Sequence, residues 1–115
     1  MARKSLADFK RMKADGKRIA TLTAYDTPTA RIVEKAQIDL ILVGDSLANV
    51  ALGYADTVPV TLDEMIHHGK AVRRGAPNTF VVGDLPFLSY QVSIEKAVES
   101  AGRFLKEAHV DAVKL

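Results

Sequence analysis

Asp39-Leu40-Ile41-Leu42-Val43-Gly44 is a short, almost wholly apolar run that stops at Asp45. A strand buried on both faces of a parallel sheet reads this way. Thr79-Phe80-Val81-Val82-Gly83 repeats the form and stops at another aspartate, Asp84. Between the two runs, a loop-like segment with Gly53 and Pro59 leads to Thr61 and Glu64, which have capping-box spacing. Leu62, Met65, Ile66 and Val72 then mark a helix that Gly75 and Pro77 end. Strand, helix, strand in this order makes a parallel βαβ unit.

The same unit extends in both directions. Upstream, Ile19–Tyr25 reads as a strand, and Asp26 or Thr27 caps a helix with Pro28 in its first turn and Ala30, Val33 and Ala36 on one face. Before it, Ser5 caps a short helix carrying Leu6, Phe9 and Met12, which Gly16 closes. Downstream, Ser93 opens a helix with Ile94, Ala97, Val98, Ala101, Leu105 and Ala108 on one face. A fourth strand is expected over Val110–Leu115. Two internal echoes support a repeated unit: Val43-Gly44-Asp45 with Val82-Gly83-Asp84, and Ile38-Asp39-Leu40 with Val110-Asp111-Ala112.

With 115 residues and 48% apolar content, the chain has material for one hydrophobic core. The formal charge is +2, but residues 1–18 hold seven of the sixteen basic side chains and only two of the fourteen acidic ones. Cations spread this way with few aromatics form a solvated helix face, so no nucleic-acid partner is expected. Cysteine is absent, which leaves oxygen or imidazole as metal donors. No run approaches the roughly 18 apolar residues of a membrane span, and a cytoplasmic protein without a membrane partner is expected.

In parallel α/β folds, ligands meet the C-terminal ends of the strands. That rule selects Tyr25 and Asp26, Asp45 and Ser46, Asp84, and Lys114. Either Gly-Asp aspartate alone reads as a helix cap or turn acceptor. Two carboxylates converging on one space repel each other unless a cation intervenes, and Mg²⁺, which takes oxygen ligands and keeps open positions for water and substrate, suits them. Lys114 adds a positive charge for an anionic substrate, or else reaches solvent as a strand-end lysine. Gly44-Asp45-Ser46-Leu47 also spells a GDSL-type serine esterase signature, with His109 and Asp111 as the only C-terminal partners for Ser46. His67 and His68 are adjacent on a helix, so they diverge by about 100° and read as surface or packing residues. Arg73-Arg74 complements a helix C-terminus.

Thr23-Ala-Tyr-Asp26, Val43-Gly-Asp-Ser-Leu47, Val60-Thr61 followed by His68, Ala71-Val-Arg-Arg-Gly-Ala-Pro77, Asp84-Leu-Pro-Phe87 with Ser89-Tyr90, and Val113-Lys-Leu115 stand in one order. In order and spacing the whole set resembles the ketopantoate hydroxymethyltransferase family. The resemblance implies a (β/α)₈ TIM barrel of the phosphoenolpyruvate/pyruvate superfamily. Residues 1–115 would form a single partial domain, about the first four strands with an N-terminal helix. It also implies hydroxymethyl transfer from 5,10-methylenetetrahydrofolate to 3-methyl-2-oxobutanoate, giving ketopantoate in pantothenate biosynthesis. By the same resemblance Asp45 and Asp84 bind Mg²⁺, and Asp45, Ser46, Asp84 and Lys114 contact the substrate. The metal would act as a Lewis acid while an enolate forms and adds to the one-carbon unit.

Partners expected from the family are a 2-oxo acid, a folate and further copies of the chain, commonly in a decamer. Two features of the family lie beyond Leu115: a Glu-Gly-Gly whose glutamate supports the metal, and a glutamate general base. No catalytic base is therefore expected within residues 1–115, and a polypeptide of this length is expected to be inactive and to associate through unpaired strand edges or serve as a non-catalytic half-barrel. Ala48-Asn49 stands where the family has Gly-Met, and a glycine is expected near His109.

Overall fold

A computed structural model describes residues 2–115. Along them run α1 (Leu6–Ala14), β1 (Thr21–Thr23), α2 (Thr27–Lys35), β2 (Leu40–Val43), α3 (Leu47–Val50), α4 (Leu62–Gly75), β3 (Phe80–Asp84), α5 (Ile94–Ala108) and β4 (Ala112–Lys114). The strands are parallel and lie side by side in chain order, with β1 and β4 at the edges. Crossovers between parallel strands are right-handed, so connections that always step the same way put their helices on one face. The buried residues of α2, α4 and α5 accordingly share one core with that face. A doubly wound sheet is covered on both faces, whereas this arrangement is half the wall of a (β/α)₈ barrel.

Local chemistry starts α1, α2, α4 and α5 where the sequence predicts. Ser5 and Asp8 form a reciprocal capping box on α1, as do Thr61 and Glu64 on α4. Asp26 caps α2 by accepting the Thr29 N–H at 2.8 Å, and Ser93 caps α5 by accepting that of Lys96 at 3.0 Å. The edge strands are shorter than expected, three residues each, because an edge residue keeps its ladder only where a neighbour pairs with it. The single turn α3 occupies what reads as loop. Strand β2 is not buried evenly: Ile41 and Val43 are sealed under the helices, while Leu40 and Leu42 on the other face are half-buried. That second face, the concave interior of the barrel wall, opens into an apolar hollow of about 470 Å³ lined by Leu40, Leu42, Phe80 and Val82. Helix α1 covers its lower end, with Phe9 edge-on to Phe80 at 5.0 Å between ring centroids.

The helix α5 packs through only part of the stripe its sequence suggests, with Ala101 and Ala108 against the core. Ile94, Val98 and Leu105 are exposed, and Ser100, Phe104 and Ala108 are the buried positions. Two apolar stripes run along this helix, and Phe104 wins the core because two glycines make room for its ring. A Cβ on Gly83 would come within 2.5 Å of that ring, and one on Gly69 within 2.8 Å. A third close approach joins α2 to α4, where a Cβ on Gly75 would lie 2.4 Å from the Thr27 carbonyl oxygen.

The echo of Ile38-Asp39 in Val110-Asp111 has a physical meaning. Asp39 accepts the Ala20 N–H on its carboxylate at 2.8 Å and returns its own N–H to the Ala20 carbonyl at 3.1 Å. Asp111 does the same with Val81, at 2.9 and 2.8 Å. Each aspartate is preceded, two residues back, by a left-handed residue, Gln37 (φ 57°) or His109 (φ 55°). Glycine adopts that conformation freely, which accounts for the glycine expected near His109. Lys4 and Arg3 then pair with Asp39 and Asp111 at 2.9 and 2.7 Å, so consecutive N-terminal cations clip the starts of β2 and β4. Arg73 is more than a helix-dipole partner. It donates to Asp111 at 2.6 Å and to the carbonyls of Ala76, Thr79 and His109.

Phe104→Ala is expected to cost about 3–5 kcal/mol, because a fully buried ring leaves a cavity that glycine neighbours cannot fill. Gly83→Ala should be comparably damaging through overpacking. Urea unfolding of each variant checks both, and a loss below about 1 kcal/mol for Phe104→Ala would contradict this packing account.

Candidate active site

All four strands deliver a side chain to the C-terminal end of the sheet. Tyr25 follows β1, Asp45 and Ser46 follow β2, Asp84 is the last residue of β3, and Lys114 is the last of β4. The two aspartates are not level, although their Val-Gly-Asp motifs match. Val43 is in register with Gly83, so Asp84 lies level with Gly44 and Asp45 falls one position beyond. As a result, the Asp45 backbone N–H, rather than its carboxylate, meets Asp84, donating to Oδ2 at 3.0 Å.

The other Asp84 oxygen faces Lys114, whose Nζ lies 3.0 Å away. Asp84 is 6% exposed, and its Oδ1 has no aligned hydrogen-bond donor despite this ion contact. A buried carboxylate oxygen without a directed donor costs free energy unless a cation compensates it. The neighbouring Asp84 carboxylate raises the Lys114 ammonium above the usual lysine range, with Asp45 adding a smaller push in the same direction. Lys114 itself is more than half exposed, so its ammonium is free to change partner.

Tyr25 and Ser46 complete the group. Their hydroxyl oxygens are 2.7 Å apart, and His68 Nδ1 donates to the Tyr25 carbonyl oxygen at 2.7 Å. Gly44 lies beneath them: a Cβ there would stand 3.1 Å from Ser46 Oγ and 3.5 Å from Asp84 Oδ2. Asp26, also selected by the strand-end rule, is occupied as the cap of α2. The Ala48-Asn49 departure is absorbed locally, since Ala48 is fully buried and Asn49 donates its side-chain amide to the Tyr54 carbonyl at 2.9 Å.

A serine esterase needs an imidazole beside its nucleophile, and Ser46 has none. Its hydroxyl engages Tyr25, while His109 and Asp111 sit at the opposite end of β4, bound to Arg73 and Arg3. His68 is the part that sequence spacing hides. It reads as a packing residue, yet it reaches the site by way of the Tyr25 backbone. Among the described residues, no three His, Cys, Asp or Glu side chains gather as a metal cage, and no helix is long and apolar enough to cross a membrane. Two neighbouring carboxylates, one of them buried against a lysine ammonium, nevertheless fit Mg²⁺, which commonly takes one or two protein carboxylates and fills its remaining positions with water and substrate.

Because its folded pKa is raised, Lys114 contributes stability below the unfolded value of 10.5, and that contribution disappears as pH rises through the folded value. Asp84→Asn should therefore lower the Lys114 titration midpoint, as read by lysine side-chain NMR. An unchanged midpoint would mean that the ion pair does not persist in solution.

The profile of the family described as ketopantoate hydroxymethyltransferase matches residues 3–115. A 3-methyl-2-oxobutanoate hydroxymethyltransferase of Heliobacterium modesticaldum is 60% identical, over 100% of this chain and 42% of its own length. One from Geobacillus thermodenitrificans is 56% identical, over 97% of this chain and 40% of its own. The chain thus spans about two-fifths of the length of these relatives. Among solved structures, a phosphoenolpyruvate phosphomutase from Streptomyces platensis superposes with a TM-score of 0.74 at 17% identity, covering 96% of this chain and 37% of its own. A 2,3-dimethylmalate lyase, described as a member of the PEP mutase/isocitrate lyase superfamily, superposes with a TM-score of 0.68 at 19% identity, covering 93% and 38%. These two neighbours bear out the partial α/β barrel fold, and the profile match with its relatives identifies the chain as a member of the ketopantoate hydroxymethyltransferase family.

Proposed function

We propose that this chain supplies the metal- and oxo-acid-binding half of an enzyme that transfers a hydroxymethyl group from 5,10-methylenetetrahydrofolate to 3-methyl-2-oxobutanoate, giving ketopantoate. The observation that carries the reading is the buried Asp84 carboxylate, which faces the exposed Lys114 ammonium at 3.0 Å, beside a second carboxylate at Asp45.

Formal charge favours this assignment. Two carboxylates and one ammonium leave a single negative charge at the strand ends, which a dication turns into a single positive one. A monoanionic 2-oxo acid then brings the site to neutrality. Asp45 and Asp84 would hold Mg²⁺, which when bound supplies Lewis-acid stabilisation of the negative charge that develops as the substrate loses its C3 proton. With the dication compensating Asp84, Lys114 becomes the cation for the substrate carboxylate, and Ser46 offers a hydroxyl to a substrate oxygen. The Asp45 N–H held by Asp84 fixes the loop that carries both Asp45 and Ser46. The enzyme acts in the cytoplasm as a homo-oligomer, in the pantothenate route that its family serves.

The chain's own residues also account for what it would lack alone. Both edge strands are unpaired and the substrate-facing wall is open on one side, so a polypeptide of residues 1–115 would associate and would show no turnover.

In a full-length polypeptide carrying this chain, Asp45→Asn and Asp84→Asn should each lower Mg²⁺-dependent ketopantoate formation on the order of 10²-fold or more. The double variant should be little worse than either, since ligands of one ion act as a unit. If Asp84→Asn leaves the Mg²⁺ dependence unchanged while Asp45→Asn abolishes it, Asp84 is a structural acceptor and the shared site is wrong.

A further inference from the structure

Ser46 stands at the N-cap of α3, where a serine ordinarily accepts a backbone N–H from the following turn. It does not do so here: its backbone is already helical (φ −56°, ψ −15°) and its side chain caps nothing. The hydroxyl is committed elsewhere, to the Tyr25 phenol at 2.7 Å across 21 residues of sequence. Tyr25 is itself held from behind, since its carbonyl oxygen accepts from His68 Nδ1 at 2.7 Å. His68 lies on α4, so the Tyr25 backbone is tied to α4 before any ligand arrives.

Either hydroxyl can donate in this pair, and acidity favours the phenol. A phenol, with a pKa near 10, is a far better donor than an aliphatic alcohol. With Tyr25 donating, one lone pair of Ser46 Oγ is used and the Ser46 hydrogen is left free for another acceptor. The neighbouring space is open because residue 44 is glycine, with Ser46 Oγ and Asp84 Oδ2 flanking the volume that a Cβ would fill. Without the phenol, the serine hydrogen has three staggered directions to sample, only some of which meet a substrate.

We propose that Tyr25 is a positioning residue for the transfer reaction: its hydroxyl donates to Ser46 Oγ and thereby aims the Ser46 hydrogen at an oxygen of the bound 2-oxo acid. This rests on the assignment of Ser46 to substrate binding made above. In this role Tyr25 acts through Ser46. The contact exists in ground and transition states alike, so its loss is expected in KM rather than kcat.

The test is a double-mutant cycle in a full-length enzyme carrying this chain, with 3-methyl-2-oxobutanoate as the varied substrate. Tyr25→Phe, which removes one oxygen, should raise KM about tenfold with kcat within about threefold of the parent, the scale of one directed hydrogen bond to an anion. In a Ser46→Ala background the same change should be silent, because there is no hydroxyl left to aim. A parallel fall in kcat, or an equal loss with and without Ser46, would show Tyr25 to be a structural residue and overturn the proposal. Should Tyr25→Phe fold poorly by thermal melt, Ser46→Ala alone must still raise KM, and an unchanged KM there sinks the idea as well. A parent enzyme that transfers no hydroxymethyl group would overturn the functional reading itself, which keeps the two failures apart.

Discussion

The C-terminal face of this sheet depends on Asp84. One of its oxygens holds the Asp45 amide and so fixes the turn after β2, while the other faces the Lys114 ammonium and so draws in the end of β4. A single buried carboxylate thereby joins three neighbouring strands at the place where a barrel of this class receives its ligands. The same group is the least comfortable polar atom in the core, since Oδ1 has an ion partner but no directed hydrogen bond.

Beneath that face, the architecture rests on missing side chains. Gly83 and Gly69 admit the Phe104 ring between β3 and its covering helices, and Gly75 lets α2 and α4 approach until backbone meets helix. At the opposite end, Asp39 and Asp111 each stitch a strand start to the preceding strand, and Arg3 and Lys4 clip both from the N-terminal segment. The barrel wall is therefore held at its lower rim by charge pairs and through its middle by close packing. Its upper rim keeps polar groups available.

Much of this was legible in the sequence because it is written locally. The apolar runs of β2 and β3, the Thr61–Glu64 box, the Ser5 cap, and the stops at Asp45 and Asp84 each depend on neighbours within a few residues. What was not legible depends on distant partners. The α5 sequence carries two apolar stripes, and only the glycines of β3 and α4 decide that Phe104 faces inward and Ile94 outward. The one-residue offset between Asp45 and Asp84 is invisible in matched Val-Gly-Asp motifs, since register is set across strands. The Tyr25–Ser46 and His68–Tyr25 contacts span 21 and 43 residues, beyond any periodicity.

In the proposed site, Asp45 and Asp84 would hold one cation against which Lys114 and Ser46 arrange an oxo acid. The most direct measurement is a crystal structure of a full-length enzyme carrying this chain, grown with Mn²⁺ in place of Mg²⁺ and with 3-methyl-2-oxobutanoate, read by anomalous scattering. A shared site gives one anomalous peak within about 2.0–2.3 Å of a carboxylate oxygen from each aspartate, typical of a hard divalent cation. Lys114 should then have moved from Asp84 to the substrate carboxylate. A peak on neither aspartate, with Lys114 still paired to Asp84, would contradict it.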